Sequence, residues 1–111
     1  MNIKVNTYNA IEGFHCWKGA KGEVNYLASR HRHIFVIRCA FLVTHEDRQI
    51  EINTQQNEIE AYLTMAFGSP CEFKGMSCEM IAAELMSIFA KDNIVECQVL
   101  EDGYGGATLT R

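Results

Sequence analysis

The residues best suited to chemistry in this chain are three of its four histidines, His15, His31 and His33. His31-Arg32-His33 opens an apolar, β-branched run, so the segment reads as a strand, and residues two apart on a strand project from one face. Both imidazoles then converge on one point. His15 closes the preceding strand-like segment, and a neighbouring strand would bring it to the same place. Three imidazoles around one point suit a zinc ion with its fourth position open to water or substrate, the arrangement of catalytic zinc sites. A His-x-His pair on a strand also arises by chance, with both rings facing solvent. The concentration of three histidines at one place favours ligation. His45, in the charged turn His45-Glu46-Asp47-Arg48, reads as an exposed turn residue.

The elements that must position these side chains follow from the hydrophobic pattern. Residues 2 to 17 alternate Ile3, Val5, Tyr8, Ile11, Phe14 and Trp17 with polar residues, as a half-buried strand does. Lys18 to Arg30 reads as a long surface loop, of the kind that often carries function. His31 to Thr44 is the central strand, dense enough in apolar residues for both faces to meet apolar partners. Ile50 and Ile52 extend it briefly, and Asn53 or Thr54 is the expected cap of a helix through Ile59, Tyr62, Leu63, Ala66 and Phe67. A second helix starts at Ser77 and carries Ile81, Leu85, Ile88 and Phe89 at helical spacing. Ile94 to Leu100 alternates again, Gly103 to Gly106 turns the chain, and Ala107 to Arg111 returns. The order ββααββ predicts an α+β fold, an antiparallel four-stranded sheet with both helices on one face, in a single domain over residues 1–111.

Composition narrows the partners. A hydrophobic content of 48% in 111 residues builds one core. A formal charge of -4 lacks the basic footprint that a phosphate backbone demands, so nucleic acid is an unsuitable partner. Five cysteines, an odd number without tight pairing, are read as reduced thiols of a cytoplasmic protein. No stretch approaches the about 20 apolar residues that span a bilayer, and the first residues hold no signal-peptide run. A soluble protein without a membrane partner is expected.

Three segments, in order, carry a family resemblance. They are Phe14-His15 followed after a loop by His31-Arg32-His33-Ile34-Phe35; Gly75-Met76-Ser77-Cys78-Glu79-Met80-Ile81-Ala82; and Val99-Leu100-Glu101-Asp102 followed by Gly105-Gly106-Ala107. Together they resemble the zinc segment, the start of the second helix and the pterin-anchoring strand of 6-pyruvoyl-tetrahydropterin synthases and the related queuosine-pathway 6-carboxytetrahydropterin synthases. The resemblance implies the tunnelling fold, or T-fold, in which subunits form rings with each active site between two of them. It implies that Glu101 anchors a pterin-like or purine-like ring, because a carboxylate accepts two parallel hydrogen bonds from the ring edge. Read without the resemblance, Glu101 is equally a solvated carboxylate at a strand end.

Where the chain departs from that family, chemistry is lost. The family's catalytic cysteine precedes its His-Gly-His, but residues 26 to 30 contain none; its aspartate and histidine relay lies between the helices, where Phe67 to Met76 has neither; and Arg32 replaces the glycine. Cys16 is the one candidate for a substitute thiolate base, activated by a nearby metal. On a regular strand it points away from His15, which reads as a buried structural thiol unless a bulge re-aims it. Phe14 and Trp17 are candidates for lining a ligand cavity, core packing being the alternative. Three functions compete: a non-enzymatic binder of a pterin-like or nucleotide ligand that keeps the metal, a zinc-dependent lyase or hydrolase on such a substrate, and a structural homo-oligomer. The first is the expectation, with one zinc per subunit, assembly into a ring, and no synthase reaction.

Overall fold

A computed structural model describes all 111 residues. The alternation of the first segment forms β1 (Ile3–His15), and the apolar run forms β2 (His31–Val43). They pair antiparallel along their whole length, from Ile3 opposite Val43 to His15 opposite His31. Then follow α1 (Ile52–Phe67), β3 (Cys71–Lys74), α2 (Cys78–Ile88), β4 (Ile94–Glu101) and β5 (Gly105–Thr110). The fold is α+β. Its sheet has five strands in the order β3-β1-β2-β4-β5, with β3 running parallel to β1. The expected four-stranded antiparallel sheet is thereby corrected to a mixed one. The segment after Pro70 supplies the extra strand by alternating buried Cys71 and Phe73 with less buried Glu72 and Lys74.

Other boundaries differ for local reasons. Glu51, rather than Asn53 or Thr54, caps α1, its carboxylate accepting from the backbone N–H groups of Asn53 and Thr54 at 3.0 Å each. Those bonds hold its carboxyl below the usual range. Ile52 therefore opens the helix and does not extend β2. Ser77 does cap α2, accepting from Met80 N–H at 3.2 Å. The loop between β1 and β2 coils into 3-10 turns over Gly22–Ala28. Asn93, in the left-handed region at φ 63°, ends the turn after α2 and launches β4.

One sheet face carries the core. Ile11 of β1, Phe35, Ile37, Cys39 and Phe41 of β2, and Cys97 and Val99 of β4 pack beneath Ile59 and Leu63 of α1 and Ile81 and Leu85 of α2. Helix α1 lies over β1 and β3, and α2 over β4 and β5, so both helices cover the same face. On the opposite face the even-numbered residues of β2 other than the buried Ala40 are only half-buried or exposed, which corrects the expectation of apolar partners along both sides. That face is laced by polar contacts, Arg32 to Glu12 at 2.6 Å and Arg38 to both Glu96 and Asn6. Gly106 sits where only glycine fits, since a Cβ there would lie 1.8 Å from the Val99 carbonyl oxygen. No helix is long and apolar enough to cross a membrane.

Candidate metal centre

The core face of the sheet turns polar at one end, and register explains why the polar groups meet. His15 stands opposite His31, Gly13 opposite His33, and Phe35 opposite Glu101. Three adjacent strands thus deliver three imidazoles and a carboxylate to one corner. The ring centroids of His15 lie 4.6 Å from His31 and 5.3 Å from His33, and those of His31 and His33 are 5.0 Å apart. One ligating nitrogen from each ring falls within 4.8 Å of the others.

Each ring is held by its Nδ1. His15 Nδ1 lies 2.9 Å from the Met76 carbonyl oxygen, and His31 Nδ1 lies 2.8 Å from that of Ser29. A carbonyl only accepts, so Nδ1 carries the proton and donates in both rings. His33 Nδ1 lies 2.6 Å from Asp102 Oδ2. The Asp102 carboxyl is held below its usual range by the Ile34 backbone N–H first and by His33 second, so it too acts as acceptor. Every Nε2 is then left with its lone pair for a cation, the way metal-ligating histidines are oriented by outer-shell partners. His15 Nε2 and His33 Nε2 are buried without a hydrogen-bond partner. Buried polar atoms are rarely left so, and a divalent metal at their convergence satisfies both. The residues present therefore fit a three-histidine metal site.

Asp102 is itself locked. It adopts φ 56°, a left-handed conformation that aspartate tolerates better than most residues, and its N–H donates to the Ile34 carbonyl at 2.8 Å. Its Oδ1 accepts from Ile34 N–H at 2.8 Å. The carboxylate is thus fixed to the backbone of β2 beside the imidazole of His33 that it orients.

A cavity of about 540 Å³ opens from this corner. Its walls are His15, His31 and Glu101 at the base, Cys16, Trp17 and Leu27 on one side, and the first turn of α2 from Ser77 to Met80 on the other. Trp17 and Met80 remain more than half exposed, leaving apolar side chains open to solvent beside it. Burial, then the neighbouring Glu101, pushes the Cys78 thiol up to about 12. It therefore stays protonated, with its sulfur 3.8 Å from Glu101 Oε2.

His15, His31, His33 and Glu101 are thus all brought together. Cys16 also reaches the cavity, half-buried. Strand β1 ends at His15, its register with β3 shifts between Phe14 and His15, and Cys16 N–H donates to the Lys74 carbonyl at 2.8 Å, so regular alternation does not extend to it. Trp17 lines the cavity, but Phe14 lies on the other sheet face with the Arg30 guanidinium 3.5 Å above its ring. His45 accepts from Asp47 N–H in an exposed turn, away from the site. Sequence reasoning missed Asp102, Cys78 and the Met76 and Ser29 carbonyls. Asp102 had a signal, an aspartate between a strand end and a glycine turn; backbone carbonyls have none.

The chain matches no protein-family model, and no curated protein matches it.

Proposed function

We propose that the protein binds zinc through His15, His31 and His33 and holds a flat heterocycle, pterin-like or purine-like, in the adjoining cavity, without the synthase reaction of the T-fold family it resembles. The reading is carried by one observation, the convergence of three Nδ1-anchored imidazoles with two orphaned Nε2 atoms beside a partly apolar cavity that His15 and His31 line. Zinc suits such nitrogen donors. A pocket with apolar walls and a few fixed polar groups is the usual shape of a small-ligand site. Glu101 is the group suited to the donor edge of the ring.

The absence of turnover follows from the missing base. A positioned base contributes roughly 10²–10⁴-fold to proton transfer, and the buried Cys78 thiol is held protonated. A zinc-dependent lyase or hydrolase is the second reading, favoured by the Cys16 thiol on the cavity wall. Homo-oligomeric assembly accompanies the proposal, since β3 and β5 leave the sheet with two edges for neighbouring subunits to pair.

Native mass spectrometry of the purified protein tests the set together. One zinc per chain, lost in the His31→Ala, His33→Ala double variant, supports the metal site, and equal metal in both proteins after zinc reconstitution rejects it. Turnover of dihydroneopterin triphosphate abolished by Cys16→Ala would replace the binding reading with the enzymatic one. A monomer at micromolar concentration would remove the assembly.

A further inference from the structure

The position of Glu101 is not that of a residue waiting at the far end of a ligand. Its Oε2 lies 3.0 Å from His15 Nε2 and its Oε1 lies 3.6 Å from His33 Nε2. Both nitrogens belong to rings whose Nδ1 already carries the donated proton, so in the neutral imidazoles each Nε2 presents a lone pair to the carboxylate. Negative oxygen against two lone pairs is repulsive unless positive charge lies among them. No aligned hydrogen bond joins His15 Nε2 to Glu101 despite the short distance. The other donor near the carboxylate is the Cys78 thiol, at 3.8 Å from Oε2. A thiol is a weak donor and leaves the carboxylate charge largely unmatched.

From this geometry we infer that Glu101 is a fourth ligand of the metal, closing the three-histidine site while no heterocycle fills the cavity. A divalent cation among the three Nε2 atoms turns the unfavourable contacts into attractive ones. Its two charges balance the carboxylates of Glu101, inside the site, and Asp102, behind His33. The Glu101 side chain is 37% exposed, so it retains the freedom to leave the cation when a competing ligand arrives. Three imidazoles and one carboxylate form a closed four-ligand set of the kind that zinc accepts. The inference rests on the metal reading above and changes what it means, since an incoming ligand must compete with a protein carboxylate for the open position.

The test uses the full chain, wild type and Glu101→Gln, with zinc and with cobalt(II) as a coloured substitute. Glutamine keeps the size of the side chain and removes its charge. Zinc affinity, measured by competition with a chromogenic chelator, is expected to fall in Glu101→Gln by at least about tenfold, the lower bound for losing even an outer-shell partner. The visible cobalt bands are expected to change in position and intensity as one ligand is exchanged. Circular dichroism of the metal-free proteins controls for folding, and Glu101→Asp, which keeps the charge on a shorter arm, is expected to recover part of the affinity. Equal zinc affinity and superimposable cobalt spectra in wild type and Glu101→Gln overturn the inference while leaving the three-histidine site standing. Failure of the wild type to bind either metal overturns both.

Discussion

One face of β2 contains two regions that differ only in side-chain type. From Phe35 to Val43 its inward residues are Phe35, Ile37, Cys39, Phe41 and Val43, all buried, the first four in the core beneath the helices. The two inward residues before them are the half-buried His31 and His33, which converge with His15, and His31 lines the cavity. The backbone geometry is continuous across the change, and the pairing with β1 is unbroken. The apolar stretch fixes register, because a one-residue slip would turn every core side chain outward. The polar stretch inherits that register and converts it into convergence of imidazoles. Precision at the metal corner is thus supplied by hydrophobic packing several residues away.

Phe35 is where the regions meet, and changing it should have the largest effect. Its ring is fully buried and lies 5.1 Å from His15, 5.6 Å from His33 and 5.0 Å from Phe73, centroid to centroid. Phe35→Ala is expected to destabilise the fold by about 3–5 kcal/mol, through lost burial and the cavity left behind. Urea denaturation measures it. Zinc affinity in the same variant should also fall; an unchanged affinity would show that the polar corner does not depend on the apolar stretch.

Gly13 tests the same dependence from the other side. It pairs with His33, and a Cβ there would sit 2.8 Å from Phe73 and 3.1 Å from Phe35. Gly13→Ala should cost about 1–3 kcal/mol by overpacking, as read by thermal or urea unfolding. A neutral result would mean that the rings beneath the site yield readily.

Asp102 separates orientation from packing. Because it holds His33 by Nδ1 without meeting the cation, Asp102→Asn should weaken zinc binding by about 10–100-fold, the usual cost of an outer-shell partner. Chelator competition measures this, and Asp102→Glu should restore part of the loss if charge rather than shape matters. An affinity equal to wild type would reduce Asp102 to a turn residue.

The same contrast explains what could be read from the sequence. The strands carrying the histidines, the two helices and the return through the glycine turn were legible because their apolar periods are long. The four residues of β3 are too few to show a period, and their parallel pairing with β1 joins segments far apart in the chain. Asn53 and Thr54 are the better capping types, yet Glu51 reaches two N–H groups because the chain enters the helix at least two residues earlier. The convergence of the three histidines was legible from types and spacing. The second layer was not, since it consists of two carbonyls and an aspartate whose role depends on a left-handed turn.

The smallest effect is expected on the opposite sheet face. Arg32 lies between His31 and His33 in sequence, but alternation sends it away from them to Glu12, at 2.6 Å, with the two side chains 52% and 45% exposed. An exposed ion pair of this kind contributes only about 0.2–1 kcal/mol, because solvent screens it and two long side chains must be held in place. Arg32→Ala should therefore shift stability by less than about 1 kcal/mol and leave zinc affinity at the wild-type value. Salt offers an independent check, since the small difference between the two proteins should shrink further as added salt screens the pair. A marked loss of zinc in Arg32→Ala, with the fold intact, would mean that the two faces communicate through the strand. The metal corner would then depend on its far side as well as on the core, and the division of β2 by face would no longer explain which residues matter to the site.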